Sequence, residues 1–103
     1  MILVAAFGAI LWATPAAAQA PDGAALYKQH CKACHGVKGI PSKQMLTIYS
    51  GLKALADSGA FAKLPSDSVV AAMQHGRGTS MKAFGDVLTA EQMAAVAKFI
   101  KTL

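Results

Sequence analysis

Cys31-Lys32-Ala33-Cys34-His35 places both cysteines of a 103-residue chain one helical turn apart and follows them at once with a histidine. An even cysteine count in an oxidising compartment first points to a disulfide. A bond between positions this close would close a tiny loop and add little stability on the loop-entropy model. A structural zinc site asks for about four Cys or His ligands, and beyond this cluster the chain offers only His30 and His75. A thioredoxin-like redox pair belongs in a βαβ context, and no stretch of this sequence has strand character.

The spacing has a better use. Two thiols one turn apart can reach the two vinyl groups on one edge of a porphyrin, and the next residue can bring its imidazole under the iron. The C-x-x-C-H pattern therefore predicts one haem c, held covalently through Cys31 and Cys34, with His35 as the proximal iron ligand. Zinc and a redox-active pair stay as the alternatives.

Size agrees with that reading. The chain is 54% apolar with a formal charge of +5, but residues 1–20 hold 16 of the apolar residues and no charge. Met1 to Ala20 reads as a secretory signal. An apolar run spans Ile2 to Ala13, Pro15 breaks it, and Ala18-Gln19-Ala20 forms an A-x-A-type cleavage site. No Lys or Arg precedes the run, which falls short of the roughly 20 residues a spanning helix needs. The alternative is an uncleaved anchor over residues 1–18. Either way the body, residues 21–103, is expected outside the cytoplasm, in the periplasm. Domains near roughly 80 residues often need a disulfide, metal or other staple, and a bound macrocycle supplies an apolar core.

The body predicts an all-α fold of short helices. Asp22 suits an N-cap for a helix from Gly23 to about Cys34, with Tyr27, Cys31 and Cys34 on one face. Gly36, Gly39 and Pro41 mark a loop. From Ser42, the residues Met45, Ile48, Tyr49 and Leu52 recur at helical spacing, with Gly51 a possible split. A third helix follows Pro65 with Ser66 as N-cap, carries Val69, Val70 and Met73, and stops near Gly76. After an aperiodic stretch from Gly76 to Val87, Thr89 and Gln92 form a capping box. That last helix carries a stripe of Met93, Val96, Ala97 and Ile100, and its Lys98 and Lys101 suit the negative end of the macrodipole.

With these residues in place, the body resembles a class I cytochrome c of the small monohaem bacterial type over residues 22–103. Gly23-x-x-x-Tyr27-x-x-x-Cys31 is similar to the glycine and aromatic that precede the first cysteine in that family. Val96-Ala97-Lys98-Phe99-Ile100 looks like the family's C-terminal stretch, which packs across the N-terminal helix. The resemblance implies three to five short helices wrapped around one covalent haem. Contact between these helices also has a physical basis: Gly23 permits close approach of two backbones, and Tyr27 and Phe99 can pack there. Tyr27 seated over the haem edge is equally compatible.

The sixth iron ligand that the resemblance implies is Met81. It lies in the glycine-flanked stretch with Phe84 three positions on, similar to the family's Met-Pro-x-Phe ligand loop, with Lys82 standing where proline is usual. Met45, His30 and His75 are the other candidates, while Met73 and Met93 fall on helix stripes and are expected to pack in the core. The family fixes the proximal ring through a downstream proline carbonyl, and Pro41 is the candidate. Tyr49, Lys53 and Arg77 could reach the propionates.

The function implied is one-electron transport and not enzymatic catalysis. His/Met ligation fills both axial positions and favours ferrous iron. Lys28, Lys32, Lys38, Lys43 and Lys82 come from segments expected around the haem edge. They would steer docking onto an acidic patch of a dehydrogenase or a terminal oxidase or reductase. Nucleic acid is excluded as a partner by the modest charge and the lack of a basic run. Two alternatives remain open: a relay subunit held in a larger oxidoreductase, in place of a monomeric shuttle, and a five-coordinate haem with peroxidase-like or gas-binding activity.

Overall fold

The computed structural model describes residues 8–10, 20–56 and 61–103. The signal expected over residues 1–20 lies almost wholly outside them. Among the described residues there are five α-helices and no strand, and no helix is long and apolar enough to cross a membrane. In chain order the helices are α1 (Gly23–His30), α2 (Lys32–His35), α3 (Lys43–Ile48), α4 (Ser66–His75) and α5 (Ala90–Ile100), with a single 3₁₀ turn at Phe61–Lys63.

α5 is the axis of the fold, because both α1 and α4 pack against it. Its start is fixed locally. The Thr89 hydroxyl accepts from the Gln92 amide at 3.1 Å, and the Gln92 side chain accepts from the Thr89 amide at 2.8 Å. Its stripe of Met93, Val96, Ala97 and Ile100 is buried, with Val96 and Ala97 at 0% exposure. Removing the cap hydroxyl with Thr89→Ala should cost about 1 kcal/mol, read as a lower denaturant midpoint with an unchanged slope.

α1 begins where Asp22 accepts from the Ala25 amide at 3.1 Å. It reaches α5 at contact distance because Gly23 has no side chain: a Cβ there would run into the Ala95 carbonyl. Tyr27 and Phe99 then meet with ring centroids 5.3 Å apart, in a tilted pair. The pairing of these two helices expected from the sequence is present.

Three local expectations are corrected. The helix predicted from Gly23 to about Cys34 is divided at Cys31, which is at once the C-cap of α1 and the N-cap of α2, with φ stretched to −118°. The Cys31 carbonyl accepts from both the Cys34 and His35 amides, so it starts a fresh turn, α2. α3 ends at Ile48, where Tyr49 turns to ψ 85°, well before Leu52, and buries none of its residues. The repeat of Met45 and Ile48 therefore does not feed the core formed by α1, α4 and α5. Ser66 is the first residue of α4 and not its cap; extended Pro65 holds that position, with no side-chain bond.

α4 ends as expected at Gly76, which takes a φ of +73° that side-chain-bearing residues resist. The chain then forms a small loop closed by the isolated bridge between Arg77 and Met81. It returns to the core through Phe84, whose amide donates to the Met73 carbonyl at 2.8 Å.

Candidate functional site

α1 and α2 bring three of the predicted site residues together. Cys31, Cys34 and His35 lie on one short turn, all half-buried, and the two thiols are free of any disulfide. The backbone secures the turn through His35 donating to the Cys31 carbonyl at 2.9 Å and Gly36 donating to the Lys32 carbonyl at 2.8 Å. Burial pushes the Cys31 thiol up to about 11, with the neighbouring Cys34 adding to the shift, so it stays protonated at neutral pH. Burial likewise lowers the affinity of the His35 ring for a proton. A neutral imidazole keeps a lone pair for a metal.

Of the His35 ring atoms, Nδ1 is buried and takes no hydrogen bond among the described residues. Pro41 is buried nearby in sequence but does not supply the carbonyl bond expected of it. The Nε2 nitrogen is then the one available to a metal. Unpaired thiols and a neutral imidazole with one edge enclosed form a donor set that fits covalent haem. Zinc has no comparable support, since no three His, Cys, Asp or Glu side chains cluster among the described residues.

Met81 sits in the loop that follows α4. Its amide and carbonyl both bond to Arg77, at 3.2 and 2.9 Å. Met81 and Cys31 pack against the same core cluster, in which Phe84 is buried. Phe84 also joins the two parts of the site, a role the sequence did not reveal. The His30 ring meets it edge-on with centroids 5.9 Å apart, and the Lys82 ammonium lies 5.2 Å from its centroid. Lys82 thus gives the loop a cation–π tether where the family pattern has proline.

The remaining candidates sort by burial. Met73 and Met93 are each 4% exposed and belong to the core, as their stripes predicted. Met45 is half-buried on α3, while His75 is exposed at the end of α4. Lys53 and Arg77 are exposed and Tyr49 is half-buried. A second contact missing from the sequence reading joins Tyr27 to the loop after His35, with its hydroxyl donating to the Gly36 carbonyl at 2.6 Å.

Residues 18–100 match the family described as "Cytochrome C oxidase, cbb3-type, subunit III". The chain belongs to this family. Its fold is similar to the solved "KustC0563 c-type cytochrome", with a TM-score of 0.70 and 32% identity, covering 79% of this chain and 95% of that one. A tyrosine-to-phenylalanine mutant of the same protein matches with a TM-score of 0.68 and 31% identity, covering 78% of this chain and 95% of that one. No curated protein matches the chain. This is a small c-type cytochrome with the all-α cytochrome c fold. The family implies covalently bound haem c with its iron, and electron transport as the work of the domain. Members of the cytochrome c family are in general carriers of electrons and not enzymes.

Proposed function

We propose that this cytochrome is a periplasmic one-electron carrier whose haem is bonded through Cys31 and Cys34 and ligated by His35 and Met81. The observation that carries the reading is the α1–α2 turn, where two free thiols adjoin a half-buried imidazole whose affinity for a proton burial lowers. When bound, haem supplies a ferric/ferrous couple that moves one electron at a time. The protein does the rest. The thiols anchor one edge of the macrocycle, His35 presents Nε2, and Met81 offers a soft thioether from a loop closed at Arg77. Were His35 and Met81 both to hold the iron, the protein would leave no site there for a substrate.

Charge supports a docking role. Residues 23–56 contain Lys28, Lys32, Lys38, Lys43 and Lys53 and no acidic residue, and all five lysines are exposed. The haem-attachment half of the domain is thus positively charged and fits an acidic patch on a redox partner. The family description, an oxidase subunit, favours a second reading with the same chemistry, in which the partner is fixed within a complex. Size exclusion of native material separates a free monomer from such a subunit.

The ferric visible spectrum tests the ligand set. Holoprotein matured with the haem-attachment machinery should show the weak red charge-transfer band of methionine sulfur on ferric iron, and Met81→Ala should abolish it. Wild-type protein without that band, whose ferrous form takes up carbon monoxide readily, would have an open iron. The carrier reading would then give way to the five-coordinate one, with His75 as the residue to study.

A further inference from the structure

Tyr27 is 2% exposed, and its contact with Phe99 accounts for the ring but not for the hydroxyl. A phenol in an apolar core needs a partner for its O–H. Here the partner is the Gly36 carbonyl at 2.6 Å, at the short end of the range for such bonds. Gly36 directly follows His35, so this carbonyl belongs to the peptide one step beyond the imidazole-bearing residue. The same oxygen accepts from the Gly39 amide at 3.2 Å, and the Gly39 carbonyl accepts from Leu55 and Ala56 at 2.7 and 3.2 Å. The hydroxyl therefore ties the attachment turn to α1 on one side and to the chain near Leu55 on the other. Among the described residues His35 itself has no acceptor at Nδ1, the bond that ordinarily orients a metal-binding imidazole. Its ring direction is left to backbone and packing.

We propose that the Tyr27 hydroxyl is a positioning group for the iron-binding imidazole, holding the Gly36 carbonyl and with it the backbone from which the His35 ring projects. The proposal rests on His35 being the proximal ligand. Burial pushes the phenol up to about 12, so it remains a donor throughout the physiological range.

Tyr27→Phe keeps the ring against Phe99 and deletes only the donor. In matured holoprotein it should lower the midpoint potential, because a looser turn admits water, and water favours the more highly charged ferric iron. The hyperfine-shifted His35 proton resonances of the ferric protein should move with it. Phe99→Leu loosens the same helix crossing with the phenol intact. It should lower the thermal midpoint and leave the potential and the His35 resonances where they are. Unchanged potential and resonances in Tyr27→Phe, or equal changes in Phe99→Leu, overturn the proposal. Should Tyr27→Phe fail to fold, the wild-type proton spectrum decides. A slowly exchanging Tyr27 hydroxyl proton with a cross-peak to the Gly39 amide is expected, and its absence counts against the bond. A wild type that holds no haem on a denaturing gel strikes the His35 assignment beneath the proposal, a failure distinct from those above.

Discussion

Gly23→Ala should destabilise the holoprotein by about 3 kcal/mol or more, at the upper end of overpacking costs. The added methyl would meet the Ala95 carbonyl oxygen, the Ala95 carbonyl carbon at 2.6 Å and the Phe99 Cβ at 3.2 Å. Two of those three atoms are backbone, and no rotamer change moves them aside. Relief requires α1 to lift from α5, which parts Tyr27 from Phe99 and opens the main helix contact of the fold. The sign of the effect is diagnostic. At an exposed helical position the same change is stabilising, by roughly 0.5–1 kcal/mol. Thermal unfolding of wild-type and variant holoprotein reads the difference. A raised midpoint would mean that the two backbones are not in contact at Gly23.

Replacing both thiols, Cys31→Ser with Cys34→Ser, should abolish covalent haem completely. On the proposed attachment each sulfur would form one thioether, so either single variant should keep haem on a denaturing gel through the remaining bond, while the double variant should keep none. The consequence extends beyond the cofactor. Phe84, Leu88 and Met93 belong to a core of nine buried apolar residues among the described ones, in a domain expected to need a staple. The double variant should therefore also lose its cooperative thermal transition, seen by circular dichroism. Haem surviving denaturation in the double variant would place the attachment on other residues.

What could be read from the sequence follows from how local each signal is. The capping box at Thr89 and Gln92, the Asp22 cap and the stop at Gly76 act within four residues, and all three appear in the structure. The stripe of Met93, Val96, Ala97 and Ile100 faces the core because its period matches an α-helix and its partners are α1 and α4. The candidate attachment turn was legible because its three residues are nearly contiguous. Weaker local rules failed where a competing constraint acted. Cys31 interrupts an apparently continuous helix, since its carbonyl serves two amides of the next turn. Pro65 displaces Ser66 from the cap, and α3 ends at Ile48 because Tyr49 leaves the helical range. Contacts across the chain other than the crossing of α1 with α5 had no signal. The bond from Tyr27 to Gly36 and the grouping of His30, Lys82 and Phe84 depend on side chains that only the fold brings together.

The pairing of α1 with α5 also bears on the order of events in maturation. Tyr27 and Phe99 stand at opposite ends of the body, and contacts so distant in sequence form late because closing the intervening loop costs entropy first. Cys31 and Cys34 lie just after α1, on the side of the chain that waits for this closure. If Cys31 and Cys34 carry the haem, a newly made polypeptide would present both sulfurs to an attachment enzyme before α5 docks on α1, while that end of the chain is still open.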